Sequence, residues 1–153
     1  MWSRITSEPL QPELLLGRVG GAADGAVLLF VGQVRNHAEG QAVSGMTYEA
    51  YAEMASDELA QIVAEAAETL GTEQIAVEHR IGALTIGEAS VVIAVASPHR
   101  DEAYRASRQI IEQIKVRLPV WKREHRVDGA DAWVPGADPV PAERHNPHVR
   151  PGS

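Results

Sequence analysis

Val91-Val92-Ile93-Ala94-Val95-Ala96-Ser97-Pro98-His99-Arg100 changes character halfway through. Six apolar residues in a row, with no polar alternation, read as a strand covered on both faces. Ser97 then suits a helix N-cap and Pro98 the first helical position, so a long helix is predicted to begin here. Its apolar positions are 103, 104, 107, 110, 111, 114 and 118, and Pro119 ends it. Residues 120–127 read as a closing strand. Lys115 falls off the apolar stripe, on the same side as Arg108 and Glu112.

Upstream, the same signals repeat. Val27-Leu28-Leu29-Phe30-Val31 is a second unbroken apolar run, read as another doubly covered strand that continues through Gly32 towards Arg35. Residues 36–40 read as a loop and 43–51 as a strand. From 53 to 70 the apolar positions 55, 59, 62, 63, 66 and 70 keep helical spacing, and Gly71 supplies the stop. A strand at 75–81 and a turn at 85–88 complete the middle. A short helix is predicted at 13–19, followed by a Gly/Ala-rich link. The order β-β-α-β-β-α-β predicts an α+β fold with two long helices on a mixed sheet. From residue 43 onward the pattern also fits a ferredoxin-like module, and both readings stand at this point.

The chain has 153 residues, 44% hydrophobic and 23% charged, a length and balance suited to one soluble globular domain with a real core. The expected domain is 1–134, with its core at about 25–134. Residues 135–153 hold five of the nine prolines and no period, and read as a flexible tail. His145 and His148 in that tail lack further ligand-type partners. With no cysteine, disulfides, thiolate metal sites and cysteine catalysis are excluded. No apolar stretch reaches membrane-helix length, and Met1-Trp2-Ser3-Arg4 leads to Glu8 and Pro9 instead of a signal core. A cytoplasmic location is expected.

A net charge of −7 argues against nonspecific nucleic-acid binding. The charge is uneven, however: from His99 to Arg126 eight cations face four acids. Arg105, Arg108 and Glu112 read as a solvated helix face. The rest of the segment suits a small anionic ligand. Only two lysines occur, Lys115 and Lys122, against twelve arginines. An ammonium can be partly neutralised by burial or by a neighbouring cation, which a guanidinium resists, so these two are candidates for proton transfer. Gly32-Gln33-Val34-Arg35, at the exit of a strand, offers an anion grip. His99 and Arg100 sit where free helix N–H groups add to it. Sixteen residues of helix put His99 and Lys115 roughly 24 Å apart, so one compact site from a single chain is not expected. An extended groove or a second subunit would remove the difficulty.

At these residues the chain resembles the catalytic (large) subunit family of molybdopterin synthase. The matching stretches are Phe30-Val31-Gly32-Gln33-Val34-Arg35-Asn36-His37, Tyr48-Glu49-Ala50-Tyr51 with Met54-Ala55, and His79-Arg80-Ile81-Gly82 with Gly87-Glu88. His99-Arg100, Ile114-Lys115, Pro119-Val120-Trp121-Lys122-Arg123-Glu124 and Trp133 follow in order. The resemblance implies an α/β hammerhead fold and a sulfurtransferase. Two sulfurs would pass to cyclic pyranopterin monophosphate from the C-terminal Gly-Gly thiocarboxylate of a small ubiquitin-like partner, forming the dithiolene of molybdopterin. It implies a heterotetramer around a homodimer of large subunits, with no cofactor and no metal. Carried over by position, the substrate pocket is Gln33, Val34, Arg35, His99, Arg100, Lys115, Lys122, Arg123 and Glu124, and the catalytic pair is Lys115 and Lys122. On this reading Lys115 is the acid/base and Lys122 positions the thiocarboxylate. The competing expectation is a non-catalytic ferredoxin-like module that binds a small phosphorylated metabolite. A stand-alone phosphohydrolase is weaker, since no carboxylate cluster or nucleophile–base pair is visible.

Overall fold

The computed structural model describes residues 1–129 and 131–134. The tail expected at 135–153, with its two histidines, lies outside the described residues. In chain order the elements are β1 (Trp2–Thr6), α1 (Pro12–Leu16), β2 (Ala26–Gln33), β3 (His37–Ala38), β4 (Gln41–Ala50), α2 (Ala52–Leu70), β5 (Ile75–Arg80), β6 (Gly82–Thr85), β7 (Ala89–Ser97), α3 (Arg100–Arg117), β8 (Val120–Arg126) and β9 (Asp131–Val134). No helix among them is long and apolar enough to cross a membrane.

The strands form two sheets. One is mixed, in the order β1-β5-β7-β2, with β1 parallel to β5 and the other pairs antiparallel. The other runs β3-β4-β8-β9, with β6 also on β4. A ferredoxin-like sheet would pair β4 with β7. Here β7 has β5 and β2 as its neighbours instead, and β4 pairs with β8. That split removes the ferredoxin-like alternative and gives the α+β architecture with mixed sheet and two long helices.

α2 and α3 pack on the first sheet. The predicted positions Ala55, Leu59, Ile62, Val63, Ala66 and Leu70 are all buried, and they meet Ile110 and Ile114 of α3 and Val77, Ile93 and Val95 of the sheet. Gly71 closes α2 in the left-handed region at φ 74°, where a side chain would be strained. Arg117 fastens the helices together, donating to Glu58 at 2.8 Å and to Glu65 at 2.6 Å. α1 covers part of the opposite sheet face over a smaller cluster of Leu15, Ala76, Val92 and Ala94.

Five expectations need correction. The helix after β7 has His99 as its N-cap, because Ser97 stays in the strand and Pro98 bridges the two. Tyr104, placed on the apolar stripe from spacing, is 60% exposed, and Ala106 takes its place in the core. β2 is covered fully on only one face: Leu28 and Phe30 pack inward, and on the other face Val31 reaches the small cluster under α1, while Val27 is 52% exposed and Leu29 37%. Four short strands, β1, β3, β6 and β9, were not anticipated. The 36–40 loop is in fact the β3–β4 hairpin, and the helix expected at 13–19 is the shorter α1.

Candidate active site

A cleft of about 260 Å³ opens where β2, β4, β8 and α3 come together. Lys115 enters it from α3 and Lys122 from β8, with Glu124 two residues further along the same strand face. Gln33, Val34 and Arg35 form the wall at the end of β2. Val34 is 5% exposed and anchors this wall, its N–H donating to the Glu88 carbonyl and its own carbonyl accepting from Gly87. Gly32 is required here by space: a Cβ would stand 2.8 Å from Cγ1 of Val91.

Six of the nine sequence-derived site residues therefore share one cleft. The other three do not. His99 and Arg100 line a separate depression of about 540 Å³ with Gly25, Ala26 and Tyr104, at the opposite end of α3. This is the separation that helix length demands. The start of α3 has no side-chain cap, leaving its first N–H groups available to an anion. Arg123 lies on the other face of β8 from Lys122 and Glu124. Its Nε is 3.8 Å from Asp131 and its guanidinium 5.5 Å from the centre of the Trp133 ring. Strand alternation makes this unavoidable once Lys122 faces the cleft. Arg105 and Arg108 sit in exposed i,i+4 pairs with Asp101 and Glu112. Arg117 is engaged with α2, so the cations left to the cleft are Lys115, Lys122 and Arg35.

The electrostatics follow from this crowding. Burial pulls the Lys122 ammonium below its ordinary range, Lys115 and Arg35 push it lower, and Glu124 partly supports it. Glu124 is 6% exposed, with Arg126 Nε 3.7 Å away. Lys122, embedded in a sheet, is thus a softened amine within the cleft. Beneath the pair lies His79, 4% exposed, with Nδ1 2.9 Å from the Arg80 carbonyl. Burial, assisted by Lys115 and Lys122 and opposed by the Arg80 hydrogen bond, lowers His79 to about 4. Between the ordinary value of 6.5 and about 4, the unfolded chain binds a proton that the folded chain refuses. Stability thus falls as pH falls through that window and levels off below it, by about 3 kcal/mol for this group. Urea midpoints measured from pH 7 to 4 are expected to decline less steeply in His79→Gln than in the natural chain; parallel profiles would refute this.

Tyr48, Ser90, Phe30, Met46 and Ile111 also line the cleft, and residue spacing alone did not select them. Ile111 was assigned to the core, and the others depend on which strands pair and in what register. Among the described residues there is no group of three or more His, Asp or Glu side chains placed to hold a metal.

Known proteins with this architecture form a consistent set. The family model described as MoaE protein matches residues 5–117. A relative from Aspergillus clavatus named molybdopterin synthase catalytic subunit is 41% identical over 129 residues, which is 84% of this chain. The chain spans 65% of that relative's length. The crystal structure of a molybdopterin synthase from Staphylococcus aureus superposes with a TM-score of 0.81 at 40% identity, covering 86% of this chain and 95% of that one. A complex of subunits 1 and 2 of molybdopterin-converting factor from Helicobacter pylori shares the fold, with a TM-score of 0.69 at 21% identity over 89% of this chain and 92% of that one.

Proposed function

This chain belongs to the MoaE protein family, and on that premise we propose that it is the catalytic subunit of a molybdopterin synthase, a sulfurtransferase. It converts cyclic pyranopterin monophosphate to molybdopterin with sulfur carried as a thiocarboxylate on the Gly-Gly C-terminus of a small partner subunit. The observation that carries this reading is the cleft in which the only two lysines of the chain meet, together with Arg35, inside a protein of net charge −7. Substrate phosphate and thiocarboxylate are both anions and repel each other. Cations fixed in a partly dry cleft offset that repulsion and stabilise charge that develops on sulfur and oxygen. Lys115, on the exposed side of α3, meets the incoming tail. Lys122 gives up its proton more readily than an ordinary lysine, which suits it to acid/base work.

His99 and Arg100 complete the site from a second copy of the chain. β2 has the His99/Arg100 depression at its first residue, Ala26, and the lysine cleft at its last two, Gly32 and Gln33. Among the described residues no strand pairs with its outer edge, and Val27 and Leu29 are exposed on the sheet face beside that edge. When two copies set their β2 edges antiparallel, the start of one strand lies against the end of the other. Each lysine cleft then receives the partner copy's helix start, and the exposed apolar residues become covered. Arg123, pointing away from the cleft, acts through Asp131 and Trp133 and not on the pterin.

Purified chain mixed with a thiocarboxylated Gly-Gly-tailed partner and cyclic pyranopterin monophosphate is expected to form the dithiolene product. A chain that bound the pterin yet formed no product with any thiocarboxylated partner would return the reading to a binding module.

A further inference from the structure

One polar side chain in the cleft has no task in the account above. Tyr48 of β4 is the cross-strand partner of Lys122 and lines the same cleft as both amines. Ser90 lines the same cleft, its hydroxyl close enough to the phenol to temper its titration. Ser90 in turn donates to the Gly32 carbonyl at 3.3 Å. Ser90 is only 7% exposed, and the six residues that follow it in β7 are all apolar. A buried hydroxyl in such a strand is costly unless bonded, so its place there points to a purpose. The Tyr48 ring meets the His79 ring edge-on at 5.4 Å, which fixes the phenol's direction. A chain of hydroxyls thus runs from the β2 backbone through Ser90 to a phenol beside Lys122.

Resting on the reading of the cleft as the sulfur-transfer site, we propose that Tyr48 is a third substrate-contacting group, its hydroxyl donating a hydrogen bond to the oxygen of the thiocarboxylate, with Ser90 as the positioning residue behind it. A hydroxyl both donates and accepts. In the free enzyme Ser90 gives its hydrogen to the Gly32 carbonyl. With the anion in place the phenol gives its hydrogen to the thiocarboxylate oxygen, and Ser90 turns its own hydrogen to the phenol oxygen. Burial raises the phenol above its ordinary range, so it remains a donor wherever the enzyme works. A neutral donor grips the oxygen without adding a further positive charge to Lys115, Lys122 and Arg35.

Tyr48→Phe removes one oxygen and keeps the ring. Single-turnover transfer from a preloaded thiocarboxylated partner is expected to slow about tenfold to a hundredfold, the size of a lost hydrogen bond to a charged group. Ser90→Ala leaves the phenol in place and is expected to slow transfer less than tenfold. Thermal midpoints of both variants separate chemistry from folding. Wild-type transfer by Tyr48→Phe overturns the proposal, as do equal losses in both variants that track a common fall in midpoint. Lys115→Ala in the same assay distinguishes the levels: if it is inactive while Tyr48→Phe is normal, only Tyr48's role falls. If Lys115→Ala also transfers normally, the cleft is not the site, and the reading and this proposal fall together.

Discussion

Lys115→Ala is expected to lower dithiolene formation by about a thousandfold while leaving the fold intact. The side chain lies on the exposed side of α3, outside the cluster that Ile110 and Ile114 join, so its truncation leaves no cavity. What it removes is one of two amines that let an anionic sulfur approach an anionic substrate. A single preorganised charge of this kind is worth about 10²–10³ in rate, and a proton carrier about 10²–10⁴. Arginine substitutions then separate the two roles. Lys115→Arg restores fixed charge and is expected to recover part of the rate. Lys122→Arg keeps the charge but replaces the amine that burial softens, and it is expected to stay near the Lys122→Ala level. The double Ala variant should be little worse than the poorer single variant, because groups acting on one transition state do not lose additively. The opposite pattern, with Lys122→Arg nearly normal and Lys115→Arg inactive, would exchange the assignments. Normal rates in both Ala variants would remove the lysine pair from the chemistry.

Much of the frame was legible because burial writes itself locally. The unbroken run 91–96 is covered on both faces, and the helical positions from Ala55 to Leu70 are buried as their spacing requires. Gly71 stops α2 where a positive φ was needed. Edges were harder to read. β1, β3, β6 and β9 are two to five residues long, too short to show a period, and β1 and β6 pair with strands distant in sequence. Val27 to Val31 looked doubly covered because an unbroken apolar run reads the same whether its second face is packed or, as at Val27 and Leu29, left exposed. Nor could local pattern choose between one ferredoxin-like sheet and two sheets. That choice turns on whether β7 takes β4 or β2 as its second neighbour, a contact across about 50 or 65 residues. The site divides the same way. Lys115 and Lys122 were found through composition, since scarcity drew attention to them. Tyr48 and Ser90 were missed because nothing local says that residue 48 faces residue 122. Tyr104 kept helical spacing yet turned outward, since the first turn of α3 overhangs the depression that also holds His99.

The shared-site arrangement makes its own expectation: two inactive variants should rescue each other. Lys115→Ala has a defective lysine cleft and a sound His99/Arg100 depression, and Arg100→Ala has the reverse. Within either homodimer every site contains one lesion. When the subunits are exchanged at random, half of the dimers are mixed. In each mixed dimer one site collects both lesions and the other collects none. About a quarter of all sites are then whole, so the mixture should recover about a quarter of wild-type turnover from two preparations that are each nearly inactive. The recovery should follow subunit exchange, appearing after slow mixing or co-expression and not at once. Charge substitution at Val27 or Leu29 should weaken it by exposing the same apolar edge to repulsion, with dimer content measured by sedimentation. Were each site instead built within one chain, the about 24 Å along α3 would have to be bridged by the substrate and partner tail alone. Mixing would then recover nothing beyond the sum of the two variants. That outcome, with exchange verified by mass, would confine His99 and Arg100 to a role away from the lysine cleft.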